Sequence, residues 1–176
     1  MKFRVALVAT ALSLAWAGNA LAERPLLKVE ERIQVAASPA KVWAVVGQFG
    51  DLGWHPVIAS TEITKGKDGR KGAERTLTAK DGAKFVEELL ARSDGALSLK
   101  YRIVSAPLPV SDYVSTLKVS SAKDGGSIIA WSSQFRRKDE KPVEGADDTG
   151  VRKIVSGIYT SGLDNLKKQL EAGKPG

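Results

Sequence analysis

From Val57 to Arg137 apolar and polar residues alternate at a period of two, and this run of about eighty residues constrains the fold more than any other feature. Successive side chains of a strand point to opposite faces, so such a run makes a sheet with one face to bury. Turn-forming clusters at Lys65–Gly72, Lys80-Asp81-Gly82, Ser93-Asp94-Gly95 and Lys123–Gly126 cut it into pieces. Six hairpin-linked strands are predicted: Val57–Thr64, Ala73–Ala79, Ala83–Arg92, Ala96–Ala106, Asp112–Ser121 and Ser127–Arg137. A seventh, Lys28–Val35, precedes them, with Val29, Ile33 and Val35 on one side and Glu31 out of place among them.

Two segments have helical spacing. Ser38-Pro39 reads as an N-cap followed by a proline in the first turn, with Val42, Trp43, Val45, Val46 and Phe49 behind it. A further helical turn is predicted over Asp51–His55, ended by Pro56. The longest helix is predicted to start at Asp147-Asp148-Thr149, and Val151, Ile154, Val155, Ile158, Gly162, Leu166 and Leu170 recur along it at three- and four-residue steps. Only this helix is large enough to cover the sheet. The expected fold is α+β: a curved antiparallel sheet wrapped around a long C-terminal helix, one domain over residues 23–172, with a frayed tail at 173–176. A sheet curved around one helix leaves a cavity between them, and such cavities hold apolar molecules. The charged stretch from Arg136 to Gly150 reads as a long loop.

Composition narrows the chemistry. The chain has 176 residues, no Cys and one His. Disulfides, thiolate metal sites and a Cys nucleophile are excluded, and His55 is the single imidazole available. Met1–Ala22 has the form of a secretory signal peptide: Lys2 and Arg4, an apolar run from Val5 to Ala17, and the cleavage site Ala20-Leu21-Ala22. Cleavage after Ala22 predicts a periplasmic protein without a membrane span. It removes two cations, taking the formal net charge from +7 to +5. That modest excess suits an acidic protein partner more than nucleic acid.

Few residues invite chemistry. Trp54-His55-Pro56 places a base near a cavity mouth, with Asp51 close by but no spacing that demands a dyad. Glu87 and Glu88 are adjacent in a strand, so one points inward, where it needs Arg75 or a hydroxyl such as that of Tyr101. Tyr101, Tyr113, Trp131 and the helix face at Ile158 are the expected cavity walls. The cavity candidates are thus Trp54, His55, Arg75, Glu87, Tyr101, Tyr113, Trp131 and Ile158. No phosphate loop, zinc spacing or paired-carboxylate motif is present, and neither a catalytic set nor a cofactor is expected.

The segments Val42-Trp43-Ala44-Val45-Val46-Gly47-Gln48-Phe49, Leu52-Gly53-Trp54-His55-Pro56, Arg75-Thr76-Leu77-Thr78, Tyr101-Arg102-Ile103-Val104, Leu108-Pro109-Val110-Ser111-Asp112-Tyr113 and Gly157 to Lys167 occur in an order that resembles the polyketide cyclase/dehydrase-type branch of the START-like (SRPBCC) superfamily. The resemblance implies a helix-grip fold with seven strands. Within that branch, the leader with the Trp-His-Pro and Leu-Pro-Val-Ser segments resembles the MxaD-type periplasmic proteins of methanol oxidation. That implies a non-enzymatic accessory role, aiding contact between methanol dehydrogenase and its cytochrome c acceptor. Three readings follow: an accessory protein docking through the basic cluster Arg136, Arg137 and Lys138; a carrier or sensor of a small apolar ligand; and a cyclase or dehydratase using His55, or a cavity Glu with Arg75.

Overall fold

The computed structural model describes residues 24–123 and 125–172; the leader and the tail lie outside them. Strand β1 (Leu27–Val35) leads into helix α1 (Pro39–Val46), followed by β2 (Ile58–Lys65), β3 (Glu74–Ala79), β4 (Lys84–Ser93), β5 (Ser98–Ser105), β6 (Val110–Ser121), β7 (Ser127–Arg137) and helix α2 (Asp148–Glu171). The strands form one antiparallel sheet in the order β1-β7-β6-β5-β4-β3-β2. Six hairpin-linked strands and a first strand returning beside the last make this the expected seven-stranded sheet around a long C-terminal helix.

Short turns set the register. Ala79 N–H donates to the Ala83 carbonyl at 2.8 Å, closing the β3–β4 hairpin. That pairing places Arg75 opposite Glu87 and Leu77 opposite Phe85. The alternation then drives one face inward: Leu99 and Tyr101 on β5, Tyr113, Leu117 and Val119 on β6, and Ile129, Trp131 and Phe135 on β7 are all buried. Against them α2 buries Val151, Val155, Tyr159, Gly162, Leu163 and Leu166. Ile154, expected on that stripe, is 37% exposed, because the buried stripe runs 151–155–159–162/163–166 and leaves it at the margin.

Polar links fix how α2 lies along β1. Ser156 Oγ donates to Glu31 Oε1 at 2.5 Å, Lys167 Nζ to the Gln34 carbonyl at 3.0 Å, and Ala36 N–H to Glu171 Oε1 at 3.0 Å. Glu31 is therefore on the apolar side of its strand because it meets a helix hydroxyl. At the start of α2, Asp147 Oδ1 accepts from Gly150 N–H at 2.7 Å, a capping bond that satisfies a free donor of the first turn.

Two expectations are corrected. Residues 51–55 form turns, not a helix: Asp51 Oδ1 accepts from Gly53 N–H at 2.7 Å, an Asx-type bond that competes with helical pairing. The loop before α2 starts later than Arg136, since Arg136 and Arg137 still belong to β7. Among the described residues, no helix is long and apolar enough to cross a membrane.

Candidate functional site

Side chains leave a cavity of about 80 Å³ between the inner face of the sheet and α2. Three parts of the chain build it. The sheet supplies Leu77, Phe85, Glu87, Tyr101, Ile103, Tyr113 and Trp131. Helix α2 supplies Val155, Ile158 and Tyr159, and the connections supply Leu52, His55, Val57, Ile58 and Leu108. The floor is buried. The rim is not: Val57 is 48% exposed, and Ile58, Ile103, Leu108 and Ile158 are half-buried. The opening is therefore apolar, and its residues contact both the interior and solvent.

Six of the eight residues singled out from the sequence line this cavity: His55, Glu87, Tyr101, Tyr113, Trp131 and Ile158. Trp54 and Arg75 stand behind the wall. Trp54 packs edge-on against Trp131, ring centroids 5.4 Å apart, and its carbonyl accepts from Asn165 Nδ2 of α2 at 2.8 Å. Arg75 donates from Nε to Glu87 Oε2 at 2.8 Å and from Nη1 to the Phe49 carbonyl at 2.7 Å; its Nη2 lies 2.7 Å from the same Oε2. The guanidinium sits over the Phe49 ring, 4.4 Å from its centroid, a cation–π contact that replaces lost hydration. Both Arg75 contacts with the carboxylate fall on Oε2, so Oε1 receives neither. Burial raises the Glu87 pKa above its ordinary 4.5, and Arg75 opposes the rise.

A hydroxyl chain crosses the floor. Ser115 Oγ donates to the Ser132 carbonyl at 2.9 Å, which spends its only proton. Tyr159 therefore donates to Ser115 Oγ at 3.1 Å, and Tyr113 donates to Tyr159. Trp131 Nε1–H is shared between Ser115 Oγ at 3.0 Å and the Tyr101 hydroxyl at 3.1 Å. Trp131 also stacks on Tyr159, centroids 4.3 Å apart. Burial holds the Tyr101 and Tyr113 phenols well above the ordinary 10 and Tyr159 at about 12, so all three stay neutral donors.

His55 is buried against α2. Its Nε2 lies 3.0 Å from the Ile158 carbonyl, and a carbonyl only accepts, so Nε2 carries the proton. Gly162 makes the approach possible: a Cβ there would stand 2.5 Å from His55 Cδ2 and 3.0 Å from Trp131 Cζ3. Burial lowers the imidazole pKa below 6.5, partly offset by the Ile158 bond. His55 Nδ1 has no hydrogen-bond partner.

The proposed basic cluster is dispersed. Arg137 Nε pairs with Asp148 Oδ1 at 2.9 Å, and Arg136 bonds the Arg24 carbonyl, its Nε 3.9 Å from Asp112 Oδ2. Both side chains are largely covered, and only Lys138 is exposed. The sequence showed three adjacent cations but not the carboxylates that fold against two of them. Phe49, Ser115, Tyr159 and Gly162 are among the site residues that sequence reasoning missed. Among the described residues, no cluster of His, Asp and Glu suits a metal ion.

A family described as "Polyketide cyclase / dehydrase and lipid transport" matches residues 27–171. No curated protein matches. Among solved structures, the chain is similar to the protein XoxI from Bacillus cereus, at 30% identity and TM-score 0.72, covering 81% of this chain and 94% of that one. It is also similar to an uncharacterised protein from Bacillus thuringiensis, at 29% identity and TM-score 0.71, covering 82% and 98%. A protein from Nitrosospira multiformis is 25% identical, at TM-score 0.69, covering 82% and 96%.

Proposed function

The chain belongs to the polyketide cyclase / dehydrase and lipid transport family, and from that membership and the cavity's chemistry we propose that it binds a compact, mainly apolar molecule without transforming it. The observation that carries this reading is the cavity itself, walled by aliphatic and aromatic side chains and open through an apolar rim. Size limits the occupant. An apolar cavity of about 150 Å³ takes a benzene molecule, and this one measures about 80 Å³. One ring or a short alkyl segment fits inside after small side-chain movements, with any remainder of the ligand at the rim. Binding is favoured over catalysis because His55 faces no nucleophile or carboxylate partner, and Glu87 is committed to Arg75.

Titrating the protein with toluene and following backbone amide signals tests the reading. Shifts concentrated on Leu77, Tyr101, Trp131 and Ile158, saturating at millimolar toluene or below and weakened at least several-fold in Trp131→Ala, are expected. Uniform or absent shifts refute it.

A second reading keeps the accessory role implied by the MxaD-type resemblance, in which an exported protein of net charge +5 aids contact between methanol dehydrogenase and a c-type cytochrome. Charge complementarity supports it through association rate. With Arg136 and Arg137 folded onto Asp112 and Asp148, the docking charge is carried by exposed side chains such as Lys138, Arg152 and Lys153. Stimulation of electron transfer that falls with added salt and in Lys138→Ala is the expected result; salt-independent stimulation would count against it.

A further inference from the structure

The cavity is apolar nearly throughout, yet one residue that lines it, His55, carries a buried hydrogen-bonding atom without a partner. His55 is 2% exposed and its Nδ1 has no partner. The ring's Cδ2–Nε2 edge is turned to α2, with Nε2 on the Ile158 carbonyl and Cδ2 against Gly162. Nδ1 lies on the opposite edge, away from the helix. With the proton on Nε2, Nδ1 is a bare acceptor. A buried acceptor left unpaired is costly, and the fold does not satisfy this one: the neighbouring Trp54 Nε1–H does not bond it and has no partner either, and Ile158 is served by Nε2.

The rest of the wall limits what can satisfy it. Glu87 is the cavity's only carboxylate, and Arg75 neutralises it through Oε2. The floor hydroxyls of Tyr113, Tyr159 and Ser115 spend their protons within their own chain, so none of them donates to a ligand, and the Tyr101 hydroxyl accepts from Trp131 Nε1. A ligand carboxylate would lose its hydration in an apolar cavity and meet two further acceptors, Nδ1 and Glu87. A ligand ammonium would find no uncompensated negative charge. A hydrocarbon would leave Nδ1 unsatisfied.

We infer that His55 is a specificity-determining acceptor, and that the cavity selects a neutral apolar molecule bearing one hydroxyl or N–H donor directed at Nδ1. This rests on the ligand-binding reading above and specifies its occupant. The selection follows the asymmetry of polar sites: a site built to pair a ligand donor discriminates against an analogue that lacks it, because the protein's own atom is then stranded.

The test uses three probes of one shape, toluene, p-cresol and p-toluate, on the full mature chain. Titration followed by backbone amide shifts gives the affinities. p-Cresol should bind about 5- to 10-fold tighter than toluene, the range of one net hydrogen bond, and p-toluate more weakly than either. His55 is the only histidine, so imidazole ¹⁵N signals report on it without assignment. Nε2 should appear protonated throughout, and Nδ1 should shift upfield with p-cresol but not with toluene. Equal binding of toluene and p-cresol, or an Nδ1 signal that p-cresol leaves unmoved, overturns the inference while leaving the ligand-binding reading intact. Failure of all three probes to bind removes the reading beneath it. His55→Gln, which retains a donor for the Ile158 carbonyl, should bring p-cresol down to toluene's affinity; if it fails to fold, the wild-type ¹⁵N shifts decide.

Discussion

Glu87 and Glu88 are neighbours on β4, and each meets an arginine across the strand. Glu87 faces inward to Arg75 of β3, and their side chains are 8% and 3% exposed. Glu88 faces outward to Arg102 of β5 at 2.8 Å, where the side chains are 20% and 53% exposed. The outer pair belongs to a row of charged residues, Lys65, Glu74, Glu88 and Arg102, in which two carboxylates are flanked by two cations across four strands. The two pairs have the same chemistry and comparable distances but different surroundings. Water screens the outer one and competes for its charges. The inner one has no water to return to, so each charge depends on its partner and, for Arg75, on the Phe49 carbonyl and ring. One strand thus carries a surface decoration and a structural determinant one residue apart.

Breaking the inner pair should have the largest effect. Glu87→Ala or Arg75→Ala strands a buried charge, at a cost of about 3–5 kcal/mol, read as a lowered urea midpoint. Replacing both, as Arg75→Met with Glu87→Leu, should recover most of that loss, since an apolar pair of similar volume is often neutral or better. A double variant as unstable as the singles would show that the pair contributes more than mutual neutralisation.

Much of this contrast is legible in the sequence, and the failures have physical causes. Ala73, just before β3, and Arg75, Leu77 and Ala79 on it share a face opposed to Glu74, Thr76 and Thr78, so Arg75 must point inward. The β4 pattern is ambiguous: Phe85, Glu87 and Leu89 alternate with Val86, Glu88 and Leu90, and both rows look alike. The hairpin resolves it, because pairing Ala79 with Ala83 counts back to Arg75 opposite Glu87. The rest of the site was hidden because it depends on tertiary contact. Nothing local says that Asp148 will hold Arg137, that the Phe49 carbonyl will face Arg75, or that Gly162 clears a place for His55.

Glycines in α2 extend the inside–outside comparison at smaller scale. Gly162 faces inward, and a Cβ there would collide with His55 and Trp131; Gly157 faces outward, with nothing within 4 Å. Alanine favours a helix over glycine by about 1 kcal/mol. Gly157→Ala should therefore stabilise by up to about 1 kcal/mol. Gly162→Ala should destabilise by about 1–3 kcal/mol despite the same propensity gain, because overpacking moves two rings. Equal thermal shifts for the two variants would mean that the His55 wedge is soft.

Titration separates the groups further. Burial lowers the His55 pKa below 6.5, so as the pH falls the unfolded chain takes up that proton first. Its contribution to stability is complete above pH 6.5 and fades as the pH drops toward the folded value. Glu87 runs the other way: its folded pKa is raised above 4.5, so its contribution is complete below pH 4.5 and is lost as the pH rises through the raised value. The two contributions therefore slope in opposite directions with pH. In His55→Gln the loss of stability as the pH falls below 6.5 should be smaller than in the wild type, measured as thermal midpoints from pH 4 to 8. An unchanged curve would place the titrating group elsewhere.

The outer pair should produce the smallest effect. Arg102→Ala and Glu88→Ala each remove a charge from a screened row, and exposed pairs are worth about 0–1 kcal/mol. Truncating Arg102 leaves Glu74 and Glu88 directly opposite each other on β3 and β4, with Lys65 paired to Glu74. Like charges placed opposite are mildly unfavourable, so Arg102→Ala should cost slightly more than Glu88→Ala, which relieves that repulsion. Raising the salt concentration should erase the difference, because the Debye length falls to about 3 Å at 1 M. The same salt should leave the Arg75 and Glu87 single variants as unstable as before. If urea midpoints of the inner variants also recover in salt, water reaches the Arg75–Glu87 pair, and the wall behind the cavity is wetter than its burial implies.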